Sequence, residues 1–282
     1  MTALAPTPPG RGGLGDDLRY AFDAVAVQWR VLCAVFFKEA QLRRGRAFSF
    51  GWLIAGLEPL IIVGAISTLF VLLNRAPAYG TSMLLFTGTG VFPMYLVIYT
   101  SMRVREPIAT PHAHRYPLET PLDEALVHGL LHLVSTALVA TGYFYVLAQL
   151  GVRDAIPFDP MTGVEALGGM FVLGVGLGLI NSVISRFVPI WASLWPGLVR
   201  ALIHFSGLYI VADYLPPNVR GYFDANPVLN GVNWFRHAFY PHYPDATFHP
   251  HRVMLIALIT LVIGIMLERV LRRGVRRGDL PS

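Results

Sequence analysis

The chain has 282 residues, 54% of them hydrophobic and only 14% charged, with a formal net charge of +5. Ordinary soluble domains carry about 25% charged residues, and a fold in water has too little interior to hide this much apolar surface. A soluble enzyme is therefore excluded, and the mean hydropathy of +0.54 assigns the chain to lipid. Backbone polar groups in hydrocarbon must be satisfied within their own segment, so the expected class is an all-α membrane protein of several spans.

Residues 1–15 are rich in Pro and Gly and lack an apolar run; they read as a disordered start and not as a signal peptide. Residues 16–47 follow as an interface helix with a basic connector. In it Leu18, Phe22, Val25, Trp29, Leu32 and Phe36 recur at helical spacing, opposite Arg19, Asp23 and Arg30. That pattern predicts an amphipathic helix lying along the membrane surface. Cys33 is the single cysteine, which leaves no intrachain disulfide and no cysteine-rich metal site.

Residues 48–268 form the expected transmembrane domain. Six apolar runs are read at about 50–73, 83–102, 122–150, 164–185, 187–212 and 253–267, the last shorter than a standard span. Between the fifth and sixth runs, residues 213–250 are too long for a turn and rich in aromatics. Tyr214, Leu215, Pro216 and Pro217 break the fifth helix there, and 228–240 reads as a short helix with Trp234, Phe235, Phe239 and Tyr240. Half-apolar pieces of this length re-enter the membrane or lie on it, so the segment is expected as a gate at the external mouth. Residues 269–282 are a basic tail.

Orientation follows from the basic residues. With both termini in the cytoplasm, sixteen of the 22 Lys and Arg are inside: seven before the first span, Arg103, Arg105 and Arg115, then Arg186, and five in the tail. Arg75, Arg153, Arg220, Arg236 and Arg252 are outside, and Arg200 lies within a span. The positive charge therefore reflects topology and attraction to anionic membrane lipids, with no nucleic-acid partner.

The sequence contains no G-x-x-x-x-G-K-[ST] loop, and its only lysine, Lys38, follows Phe37. If ATP drives this protein, another subunit binds the nucleotide and its Mg²⁺. Glu124, His128 and His132 share one face of the third span, but the H-E-x-x-H order of a zinc site is absent and the expectation is polar residues facing the bundle interior. His112 and His114, in a cytoplasmic stretch with four prolines, are an equally weak metal signal. Gly174, Gly176 and Gly178 suit close helix packing. Arg200 and His204 sit one turn apart near the middle of the fifth span, where a guanidinium costs about 2.5–3.5 kcal/mol. Two readings stay open: Arg200 pairs with Glu58, Glu165 or backbone carbonyls, or it lines the path of an anionic substrate.

Residues Phe50-Gly51-Trp52-Leu53-Ile54-Ala55-Gly56-Leu57-Glu58-Pro59-Leu60, behind Arg43-Arg44-Gly45-Arg46, resemble the entry to the first span of bacterial polysaccharide-export permeases of the ABC-2 group. Asn226-Pro227 followed by Gly231-Val232-Asn233-Trp234-Phe235-Arg236 is similar to the N-P…R motif that precedes their last helix. The likeness runs from about Asp17 to Arg273, nearest to the capsular branch; Trp52 stands where that family more often has Tyr. The resemblance implies a homodimer joined to two ATP-binding cassette subunits, which bind ATP and drive outward movement of a lipid-linked, anionic capsular polysaccharide. It further implies a periplasmic polysaccharide copolymerase, an outer-membrane channel, and a Gram-negative inner membrane. On this reading the substrate-path candidates are Arg200, His204, Glu58 and Trp52. The ATPase-coupling candidates, in the 103–122 connection, are Arg103, Arg105, Glu106 and His114, and the gate is Asn226, Pro227, Trp234, Phe235 and Arg236. An exporter of O-antigen or another glycoconjugate is the first alternative. A secondary transporter lacks the expected internal repeat, and a lipid-sugar transferase lacks an acid–base cluster.

Overall fold

The computed structural model describes residues 22–37 (without 24 and 25), 57–109, 120–244 and 246–277 (without 247), with backbone alone at 200–204 and 275–277. The sequence expectations at residues 1–15, Arg43 to Arg46, Trp52, His112 and His114 lie outside the described residues. Among the described residues there are helices and no strands: α1 (Ala26–Phe37), α2 (Glu58–Leu72), α3 (Met83–Ala109), α4 (Pro121–Gln149), α5 (Pro160–Phe187), α6 (Trp191–His204), α7 (Pro217–Asp224), α8 (Pro227–His237) and α9 (Pro250–Arg277). Five of them, α4, α5, α7, α8 and α9, begin on proline. A fixed φ and a missing N–H cost nothing at that position, so proline marks helix starts throughout this chain. Side-chain caps complete three of these starts, with Asn226 on α8 the third. Thr120 and Asp123 form a reciprocal capping box on α4, and Asp159 accepts from the amides of Met161 and Thr162 on α5. Hydrogen bonds from Thr162 hold the Asp159 carboxyl below its ordinary range. Its contribution to the fold is therefore present above the unfolded carboxyl pKa and is lost as pH falls through the lower folded value.

Four helices, α3, α4, α5 and α9, are long and apolar enough to cross a bilayer. The two remaining apolar runs differ from six simple spans. Helix α2 has 15 residues, about 22 Å. The run at 187–212 is not one helix: α6 ends at His204 after 14 residues, with Pro196 inside it, and the chain turns through Gly207 at φ +75° before a 3₁₀ turn at Ala212–Tyr214. The second run goes the other way, because α3 continues through Arg103, Arg105 and Pro107 to Ala109. Arg103, Arg105 and Glu106 thus sit on its last turns and not in a loop.

Helix α5 is the centre of the bundle, with α3 packed on one side and α9 on the other. Glycine makes both contacts possible. A Cβ on Gly174 or Gly178 would lie 2.8 Å from Thr100 Cβ or the Ser101 carbonyl of α3, and one on Gly176 would lie 2.6 Å from the Leu261 amide of α9. Gly264 of α9 meets Leu179 and the Gly176 carbonyl from the opposite side. The three helices run parallel, since Gly174 and Gly178 meet successive turns of α3, and Gly176 and Leu179 meet Leu261 and then Gly264 of α9. Helix α4 runs against α3, with Tyr143 over Gly88 at one end and Gly129 beside Val104 towards the other. Burial separates their roles: 83% of the most apolar stretch of α3 is inside the protein but only 22% of that of α9. The first is core, and the second offers Leu255, Leu258, Ile259, Val262 and Met266 outward as lipid requires.

Helix α1 rests on the first turns of α4. Its Val31, Leu32, Val35 and Phe36 pack on Val127 and Leu131, and Gln28 hydrogen-bonds Asp123. Phe22 and Trp29, placed by periodicity on the same stripe, are instead exposed. The stripe is therefore divided between the bundle and the surroundings.

Replacing Gly176 by Leu forces α9 away from α5 and is expected to lower stability by at least the ~1–3 kcal/mol of core overpacking. Gly142→Leu, where no neighbouring atom lies within 4 Å, is the matched control. Thermal unfolding of the two purified variants in detergent measures the difference.

Candidate functional site

Two features of the bundle have the makings of a site: a cavity bearing a carboxylate, and a cap at one end of the bundle built on a buried arginine.

The cavity, about 450 Å³, lies between α2, α3 and α6 and is lined by Glu58, Ile62, Tyr95, Tyr99, Val199 and Tyr209 among others. That volume lies within the range of small-molecule sites. Glu58 opens α2, where the exposed amides of the first turn favour an anion, and accepts the Tyr99 hydroxyl from α3. Tyr95 and Tyr99, one turn apart, stack with centroids 5.0 Å apart. The result is a mixed wall of carboxylate, phenol and aliphatic side chains, suited to a ligand with both hydroxyls and apolar surface. Of the sequence candidates for the substrate path, Glu58 is in this wall. Arg200 follows Val199, which lines it, and His204 ends the same helix; their side chains, like Trp52, lie outside the described residues. Glu165, one of the expected partners of Arg200, is exposed near the start of α5, so it takes no part in the cavity.

The cap is α8 with the turns around it. Asn226 caps α8 by accepting from the Val228 amide and donates to the Phe205 carbonyl. Pro227 is the first helical residue, and Trp234 and Phe235 are buried against α5, with a Cβ on Gly169 only 2.9 Å from the Trp234 ring. Arg236 is fully buried. Its guanidinium donates to the carbonyls of Gly207 (2.8 Å), Leu208 (3.3 Å) and Phe86 (3.4 Å) and to the Tyr243 hydroxyl (3.1 Å). It also lies 3.9 Å over the Phe86 ring. Such a ligand set binds α8, the start of α3 and the turn after α6 into one unit. Burial raises the Tyr243 hydroxyl above its ordinary range, opposed by Arg236, and Tyr79 is likewise raised by burial while donating to the His242 carbonyl. Both phenols therefore remain protonated donors throughout the neutral range.

At the opposite end, Arg105 donates to Ser185 (3.4 Å) and Arg186 to the Ala109 carbonyl (3.4 Å), joining the ends of α3 and α5. Arg103 is half-buried and Glu106 exposed beside them. Three of the four coupling candidates are on the last turns of α3, and His114 lies outside the described residues.

Sequence reasoning missed Tyr95, Tyr99 and Tyr209, although Tyr95 and Tyr99 at i, i+4 in an apolar span were a visible signal. It also missed Asp123 and Gln28. The carbonyls of Gly207 and Leu208 could not have been found, because every residue carries one.

No family model matches the chain. It is 25% identical over 257 residues to the capsule polysaccharide export inner-membrane protein BexB of Haemophilus influenzae, covering 89% of this chain and 95% of that protein. It is 26% identical over 245 residues to the polysialic acid transport protein KpsM of Escherichia coli, covering 84% and 91% respectively. The likeness to the capsular branch suggested by two short motifs is borne out along most of the chain.

Arg236→Met leaves the buried carbonyls of Gly207 and Leu208 without their donor, each worth about 1–3 kcal/mol, and is expected to destabilise the cap severely. Arg236→Lys retains the charge without the planar fork and should recover only part of the loss. Hydrogen exchange of the 205–216 amides, compared with those of α5, locates the effect.

Proposed function

We propose that this chain is the membrane-spanning permease subunit of an ATP-driven exporter, moving lipid-linked capsular polysaccharide outward across the inner membrane. The observation that carries this reading is the end-to-end likeness to the two capsule and polysialic acid export proteins. The bundle is consistent with it, offering a cavity with both polar and apolar walls beside spanning helices.

The energy source is a partner, since the sequence has no phosphate loop. Two ATP-binding cassette subunits supply ATP and Mg²⁺ from the cytoplasmic side, contacting the α1-bearing end of the bundle. Arg103, Arg105 and Glu106 at the end of α3, with His114 beyond it, are the coupling residues. Both termini are cytoplasmic in this scheme, and α2 together with α6 and its following turn complete six crossings. Two copies of the chain make the path. Beside the cavity, Ile61, Leu69 and Leu72 of α2 and Leu194 and Leu198 of α6 are exposed, and a second copy closes that side. Glu58, Arg200, His204 and Trp52 line the path, the α8 cap forms its external mouth, and a periplasmic copolymerase receives the polymer there.

Deleting the chain should abolish surface polysaccharide and leave lipid-linked glycan inside the cell, detected by mass spectrometry and reversed by the wild-type copy. Arg200→Ala and Glu58→Gln are each expected to cut export about tenfold or more, equivalent to at least 1.4 kcal/mol, while still purifying with the ATPase. Lipid-sugar chemistry by the isolated chain, or ATP turnover by the partner that ignores this subunit, overturns the reading.

A further inference from the structure

Glu124, His128 and His132 have no part in the export scheme above. They recur every four residues and so occupy one face of α4, and the structure shows where that face leads. At its start Asp123 is buried, caps α4 with Thr120 and accepts from Gln28 of α1. Next in the row, His128 is buried with Nε2 3.9 Å from Glu124 Oε1. One turn further the His132 ring lies against Tyr99 of α3, centroids 5.9 Å apart. Tyr99 donates its hydroxyl to Glu58, and both residues line the cavity. From Glu124 to His132 the helix rises about 12 Å. The row therefore carries ionisable groups from the α1-bearing end to Tyr99 and, through it, to the Glu58 carboxylate, which is exposed in the wall of the cavity.

Ionisable residues in spanning helices are costly and, in rows, mark ion and proton routes. Imidazole suits such a route, because it accepts on one nitrogen while donating from the other and titrates near neutrality. We propose that Glu124, His128, His132 and Tyr99 form a proton-access line from the α1-bearing end of the bundle to the Glu58 carboxylate. The proton balance closes. A proton taken up from water at Glu124 passes to His128 and then to His132 across one helical turn, about 6 Å, a gap that one water molecule spans. His132 gives a proton to the Tyr99 oxygen as Tyr99 releases its own to Glu58, and each imidazole resets by exchanging tautomers. Water at the bundle end loses one proton and Glu58 gains one. Glu58 thereby changes from a charged acceptor to a neutral hydroxyl donor, which alters what the cavity can hold.

The charged and titratable groups on the surrounding elements can bias this line. They are Tyr95, Arg103, Arg105 and Glu106 on α3, Tyr209 at the cavity, and Asp23, Arg30 and Cys33 on the N-terminal helical segment. Glu165 and Arg186 stand on α5 and, by sequence, Arg200 and His204 on α6. None of these lies in the row itself. Proton access does not depend on the cargo, so its failure would leave the export reading standing.

Infrared difference spectra of the full-length chain in lipid nanodiscs, recorded after an acid jump, test the line through the carboxylic acid C=O band of Glu58. Glu58→Gln identifies the band by removing it. His132→Phe and His128→Ala are expected to slow its appearance about tenfold or more, equivalent to 1.4 kcal/mol of barrier. Added free imidazole should restore the rate in His128→Ala, which a purely structural histidine would not show. Where His132→Phe does not fold, His128→Ala and Glu124→Gln carry the measurement. A band that survives Glu58→Gln, or one that rises at the wild-type rate in the folded histidine and Glu124 variants, overturns the line.

Discussion

A guanidinium with no water around it must find hydrogen-bond acceptors in the protein, and the α8 end of this bundle is arranged around that requirement. Arg236 takes carbonyls from the turn after α6 and from the first turn of α3, together with the hydroxyl of Tyr243. The four acceptors belong to three stretches of chain, so one side chain fixes the relation of all three. Removing one partner of a buried charge costs far more than the pair contributes to stability, which explains why the surroundings are so closely fitted. Gly90 provides the space: a Cβ there would lie 2.9 Å from the guanidinium and 2.9 Å from Leu208. The turn through Gly207 and Leu208 is thus held open by the arginine, and the fifth apolar run cannot continue as a helix through it.

Below this cap the bundle depends on a second constraint, the close approach of three parallel helices. Apolar side chains gain little from meeting one another when lipid is the alternative, so packing contact and backbone proximity hold spanning helices together. Helix α5 meets α3 through Gly174 and Gly178 and α9 through Gly176. The two sets are about half a turn apart, so the central helix is lined with glycine on opposite faces. With that centre rigid, the less enclosed elements α2 and α6 lie at the edge beside the cavity. The cavity thus lies at an edge where elements with few packed neighbours open at low cost.

The chemistry of the cavity is set by short-range partners that spacing alone could not reveal. Glu58 and Tyr99 are 41 residues apart yet share a hydrogen bond. Glu124, His128 and His132 were legible as a single helix face, but where that face pointed was not. Their meaning changed once His132 was found against Tyr99. The N-P…R segment shows the same limit from the other side. Asn226 and Pro227 were readable as the start of a short helix, and they are its cap and first residue. Arg236 was read only as part of a gate; its burial and four acceptors also make it the fastening on which the cap is built.

The sequence by itself determined the solvent, the helical class, the position of four full spans and the proline-marked starts of five helices. Those are consequences of composition, hydropathy and local backbone chemistry, which act within a few residues of one another. It also determined that this chain has no phosphate loop of its own. Only the tertiary structure decided that α6 stops at His204, that α3 runs on to Ala109, and that the amphipathic stripe of α1 is split between the bundle and its exterior. It also decided that Glu58, Tyr99 and His132 meet. The reason is physical: glycine spacing can mark a close-packing face, but which helices meet it, and which carbonyls a buried cation takes, are chosen by position in space.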